Sequence, residues 1–152
     1  MTRKQQIYER LKQDHDKIRE LMAQIADTSE DQAGQRRDLF ARFRTELLAH
    51  AQAESNVFYE RLEEYGETRM KALEGETEHE LVEHMIHELE HTSPGDDHWT
   101  ARFQVLQEIL EHHLEEEEEE MFEQAQDVLS DPKAMELSKQ FEQEKSELRQ
   151  RL

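Results

Sequence analysis

Apolar residues recur at helical spacing along nearly the whole chain. Ile7, Leu11, Ile18, Leu21, Met22 and Ile25 predict a first helix that stops in the polar turn Asp27-Thr28-Ser29-Glu30-Asp31. Leu39, Phe40, Phe43, Leu47, Val57, Phe58 and Leu62 predict a second, ending near Gly66. Leu81, Val82, Met85, Ile86 and Leu89 predict a third that stops at Ser93-Pro94-Gly95; its start is open, because Met70 to Gly75 reads equally as helix or connection. Trp99, Phe103, Val105, Leu106, Ile109, Leu110, Leu114, Met121 and Phe122 predict a fourth. A fifth begins at Asp131-Pro132, with a weaker face of Met135, Leu137, Phe141 and Leu148. Nothing alternates as a strand does. Short connections between long helices make neighbours antiparallel, so the expected fold is all-α: an up-down-up-down four-helix bundle with an additional C-terminal helix. A single domain is expected over 1–152, with the bundle at about 3–129 and the last helix at about 132–150.

The chain repeats itself, and the repeat carries histidine. Asp14-His15 and the residues after it match Glu78-His79 and its sequel without gaps, and apolar residues follow each histidine at the third, sixth, seventh and tenth places. His15 and His79 therefore lie on the buried stripes of the first and third helices. The second and fourth helices match as well. His50-x-x-x-Glu54 aligns with His113-x-x-x-Glu117, and a large apolar pair follows each at the same distance. Four residues is just over one turn, so each His stacks on its Glu, and Leu47 and Leu110 one turn earlier mark that face as inward. From His15 to His50 is 35 residues and from His79 to His113 is 34, so the chain reads as two helix hairpins of one design. Packed face to face, they bring four imidazoles and two carboxylates into one core.

Composition narrows what such a core can be for. There is no Cys, which excludes disulfides, thiolate metal sites and cysteine nucleophiles. The net charge of −19 disfavours nucleic acid and anionic membranes as partners, since phosphate binding needs a cationic surface. The charged stretch Met1 to Asp14 lacks the apolar run of a signal peptide, and no stretch approaches the roughly 20 apolar residues that span a bilayer. A soluble, cytoplasmic protein, monomer or weak homodimer, is the expectation.

A single histidine on an apolar stripe is ordinarily a hydrogen-bonded core residue. Four in register with two glutamates differ, because burying such groups without a partner costs several kcal/mol as an order of magnitude. Two divalent cations remove that cost by making the groups ligands. Mixed imidazole and carboxylate donors suit iron or manganese better than zinc, and six ligands suit two metals better than one. Most of the run Glu115 to Glu120 reads as a solvated face, with Glu118 and Glu119 rotated off the inward side and Glu117 singled out by its spacing. Glu120 also leans inward, as an extra ligand or a bundle-end surface residue. His84, His87, His91, His98 and His112 have no counterparts in the repeat and read as surface or supporting residues. Phe58, Tyr59, Met121 and Phe122 read as packing that keeps the site dry.

At these residues the chain resembles the hemerythrin-like family, also called the HHE cation-binding domain, over about Gln6 to Leu129. The motifs are DH at Asp14-His15, HxxxE at His50 and Glu54, EHE at Glu78 to Glu80, and HxxxEE followed by MF from His113 to Phe122. The resemblance implies metal ligation by His15, His50, Glu54, His79, His113 and Glu117. It implies a carboxylate- and oxo- or hydroxo-bridged pair of iron ions that binds or reacts with O2, peroxide or NO. The oxygen-carrying members have HxxxH on the third helix, where this chain has Glu83 four places after His79, and HxxxxD on the fourth, where it has HxxxE. The pattern is similar to that of bacterial members, which include iron–sulfur repair and stress proteins. A binding protein is expected before an enzyme; weak peroxidase, catalase-like or NO-related turnover is the enzymatic option, and an iron sensor, adaptor or iron donor is the alternative. Glu83, His84 or water is left to complete the ligand set. A ferritin-like arrangement would need ExxH on two helices; Glu76 and His79 have that spacing, but Leu47 and Leu110 precede His50 and His113.

Overall fold

The computed structural model describes residues 6–152, so the expected bundle start near residue 3 lies outside the described residues. Helix α1 is Ile7–Ala26. Helix α2 runs Ala33–Glu54, continues through a π-turn at Ser55–Tyr59 and ends with Glu60–Leu62. Helix α3 is Gly66–Glu90, so the stretch from Met70 to Gly75 is helical. Helix α4 runs Asp97–Glu116, passes through a second π-turn at Glu117–Met121 and closes with Phe122–Val128. Helix α5 is Asp131–Arg151. Among the described residues there are no strands, and the architecture is the all-α bundle with an added C-terminal helix. No described helix is long and apolar enough to cross a membrane.

Local chemistry sets the helix ends. The Asp96 carboxylate accepts from the His98 backbone N–H at 2.8 Å, and Ser130 Oγ accepts from the Lys133 N–H at 3.2 Å with Pro132 behind it in the first turn. Buried Arg36 ties the end of the bundle away from the termini. It donates to the Thr28 carbonyl and hydroxyl and to the Pro94 carbonyl, and its guanidinium lies over Trp99 at 4.7 Å from the ring centre.

The apolar interior is divided in two. One cluster holds Ile18 to Ile25, Leu39 to Leu47, Val82 to Leu89 and Trp99 to Leu114; the other holds Ile7, Leu11, Phe58, Leu62, Met121, Phe122 and the α5 residues Leu137 and Phe141. On every one of the four bundle helices, the histidines and glutamates of the repeat fall between the two clusters. Two positions of the periodic pattern face solvent instead: Leu81 and Val105 are each about half exposed, since a stripe wider than one bundle contact leaves its edge residues outside.

Candidate metal centre

The polar layer between the clusters contains all six residues of the repeat. Their ligand atoms form two groups, each within 4.8 Å: His15, His50, Glu54 and Glu117, and Glu54, His79 and His113. Glu54 belongs to both. His15 Nε2 lies 3.1 Å from Glu117 Oε1, His79 Nε2 lies 3.1 Å from Glu54 Oε1, and His50 Nε2 lies 3.7 Å from the same Glu54 oxygen. All but His79 are buried; His79, 12% exposed, forms part of the floor of a cleft of about 320 Å3 lined also by Ser55, Glu76, Glu80 and Glu83.

Each imidazole turns its Nε2 inward because its Nδ1 is held from outside. His15 Nδ1 donates to Glu118 at 2.7 Å, His50 Nδ1 to Asp14 at 2.8 Å, and His113 Nδ1 to Glu78 at 2.7 Å, while His79 Nδ1 shares a hydrogen bond with Ser55 Oγ at 2.9 Å. The pattern repeats with the sequence. The acid before each odd-helix histidine, Asp14 or Glu78, holds the histidine of the next helix. The residue after each glutamate, Ser55 or Glu118, reaches back to the odd-helix histidine. Such outer partners orient a ligand and select which nitrogen is free.

Of these supporting residues, Asp14 and Glu78 appeared in the sequence only as motif letters, Ser55 not at all, and Glu118 stands against its expected place on the solvated face. It pairs with His15 and Arg19 and is only 18% exposed. The π-turn beginning at Glu117 removes the regular 100° step on which that expectation rested. Glu118→Ala should therefore weaken metal binding about 10- to 100-fold, the usual cost of losing such a partner, while Glu119→Ala, at an exposed position, should not change it. Titration with a competing chelator measures both.

Tyr59 is likewise more than packing. The π-turn brings it inward five residues after Glu54, and its hydroxyl donates to Glu117 Oε2 and stands 3.5 and 3.4 Å from the Nε2 atoms of His79 and His113. A Cβ at Gly75 would lie 2.7 Å from the Tyr59 ring, so glycine there makes its room. The remaining histidines lie elsewhere. His84 is 70% exposed beside Glu88, His98 and His112 are exposed, and the exposed His87 and His91 rings lie tilted against each other at the C-terminal end of α3. Glu120 points outward to Lys71, and Glu83 is exposed in the cleft.

Charge in the layer is divided unevenly. Burial raises the Glu117 carboxyl and neighbouring Glu54 raises it further, to about 7. Burial also acts on Glu54, but the His50 imidazole overcomes it, with the Glu117 carboxyl and the His79 imidazole adding to the effect, and Glu54 is held well below its ordinary value. For His50, burial favours the neutral ring; Glu54 and Asp14 outweigh it and push the imidazole up to about 10. Even so, His15 Nε2, His50 Nε2, both oxygens of Glu54 and Glu117 Oε1 make no hydrogen bond among the described residues. Where they approach one another, they are close without being aligned to donate. Five orphaned donor and acceptor atoms converging in a dry interior are costly as they stand and fit a metal.

The chain belongs to the hemerythrin family: the model of the hemerythrin HHE cation-binding domain matches residues 6–125. The family's domain is described as cation-binding, and the two buried His/Glu groups fit a metal site. Among curated proteins the chain is similar to a DNA nickase of Nostoc sp., with 27% identity over 143 residues covering 93% of this chain and 40% of that protein. The chain thus spans well under half of that relative. No solved structure matches.

Proposed function

We propose that the chain holds a pair of iron ions between its helices and binds or reacts with O2, peroxide or NO there. The observation that carries this reading is the set of orphaned atoms on His15, His50, Glu54 and Glu117 facing one another in the polar layer. His15 and His50 would hold one iron, His79 and His113 the other, with Glu54 common to both and Glu117 joining the first. Bound iron supplies reversible one-electron chemistry at each ion and a Lewis-acidic position for a diatomic or peroxide.

The chain's own residues define how such a ligand is received. The cleft ending at His79 offers a route to the second group, while the aromatic cluster of Tyr8, Phe58 and Phe122 closes the end of the bundle and keeps water away from the first. The Tyr59 hydroxyl, which donates to Glu117, stands beside His79 and His113 and would be the hydrogen-bond donor nearest an incoming oxygen or nitrogen atom on that side. His84, exposed, supplies no further imidazole, which favours redox chemistry at both ions over reversible carriage at one. DNA nicking is not extended to this chain, because a net charge of −19 opposes phosphate and the likeness covers only part of the nickase. The test is the visible spectrum of iron-loaded protein before and after O2, NO and peroxide. Distinct oxidised and nitrosyl spectra that Tyr59→Phe alters support the reading; a spectrum indifferent to all three contradicts it. A second reading, an iron sensor or adaptor, is favoured by the direct packing of α5 on the first group.

A further inference from the structure

The family match ends at residue 125, yet α5 reaches the metal centre from outside. The Phe141 ring stands edge-on to the His50 imidazole with centroids 5.5 Å apart. One turn further on, Lys145 Nζ lies 2.9 Å from Asp14 Oδ1 and 2.6 Å from Glu46 Oε1. The other Asp14 oxygen accepts from His50 Nδ1 at 2.8 Å. A continuous path of polar contacts therefore runs from α5 through α1 to a candidate ligand on α2.

Lys145 is an unusual residue to find there. Its side chain is 5% exposed, Glu46 is 2% and Asp14 6%. Taking an ammonium out of water costs several kcal/mol as an order of magnitude, recovered only when its partners are well placed. Ala134, Leu137 and Phe141 already give α5 an apolar face to dock with. The contact also breaks the symmetry of the repeat. Around the first group, each outer carboxylate carries its own cation: Asp14 has Arg10 and Lys145, and Glu118 has Arg19. Around the second, His79 meets neutral Ser55, and Glu78 pairs with no Lys or Arg among the described residues. A carboxylate already held by cations has a fixed position and draws less on the imidazole proton, so the two groups present different ligands to otherwise similar metals.

We infer that Lys145 is a positioning residue for the metal held by His15 and His50: it fixes Asp14, and through Asp14 it orients His50, so that α5 tunes one of the two metal positions. The inference rests on the iron-pair reading above.

The test uses full-length protein loaded anaerobically with Fe(II) and then challenged with excess chelator, with iron release and circular dichroism followed together. In Lys145→Met, one of the two irons should leave about 10- to 100-fold faster than in the wild type, and the other at the wild-type rate. Asp14→Asn should do the same, and Lys145→Met should add nothing on that background, since it acts through Asp14. If Lys145→Met does not fold, Lys145→Met with Glu46→Gln removes the buried pair together and carries the same test. Wild-type release of both irons from a folded variant would overturn the inference and leave Lys145 as a pin for α5. Equal acceleration of both irons would overturn it too. A wild-type chain that never takes two irons would overturn the underlying reading, and this inference with it.

Discussion

Glu54→Ala should abolish metal uptake at both positions, not one. Among the described residues Glu54 is the one that belongs to both groups, and neither of its oxygens has a hydrogen-bond partner there. Iron bound per chain should fall from about two to near zero, whereas His15→Ala or His79→Ala should each spare the other position in part. Glu117→Ala should fall between, because Glu117 belongs to the first group and its second oxygen is engaged by Tyr59. Glu54→Gln, nearly the same shape, should reproduce the loss without a cavity. It should also leave the iron-free protein folded: it removes a like charge from beside Glu117, and His50, losing the carboxylate that raises it, can become neutral. Elemental analysis with circular dichroism decides it: two irons retained by Glu54→Gln would place the shared ligand elsewhere.

Iron should raise the melting temperature by roughly 5–10 °C when free Fe(II) stands about 100-fold above its dissociation constant. That ratio stabilises the native state by about 2.7 kcal/mol, and one kcal/mol moves a domain of this size by about 2–4 °C. The difference should grow with pH. His50, raised to about 10, stabilises the iron-free fold fully below the ordinary imidazole value and loses that contribution as pH climbs through about 10. Glu117, raised to about 7, contributes below the ordinary carboxyl value and loses its share as pH climbs through about 7. The iron-free protein is thus weakened as pH rises from about 5 towards 8, by these groups. Metal binding, which must displace the same protons, is strengthened over that interval. Scanning calorimetry of both forms between pH 6 and 8 would show it, and melting curves that coincide would put the ligands outside the core.

Much of this was legible in the chain. A 3.6-residue period placed the helices, and the in-register repeat singled out the six residues that the fold gathers into one layer. What stayed hidden depends on relations between helices or on departures from regular helix. Asp14 and Glu78 stood out as matching letters, but each acts on a histidine of a neighbouring helix, which periodicity within one helix does not report. Glu118 was masked by the glutamate run and Tyr59 by its apolar neighbours, and in both cases a π-turn moved the residue from where a uniform 100° step puts it. Lys145 lies in the one helix outside the repeat, so no counterpart marked it. The alternation of acid and histidine across helices, DH answering HxxxE in one hairpin and EH answering HxxxE in the other, was the available signal.

On the proposed function, two irons would sit together in the layer between the apolar clusters. The most direct measurement is metal content after anaerobic iron loading and desalting, read together with the visible spectrum on oxidation. Close to two irons per chain are expected, with an absorption that disappears in Glu54→Gln. A reproducible single metal, zinc retained in preference to iron, or two irons bound without any change in Glu54→Gln would contradict it.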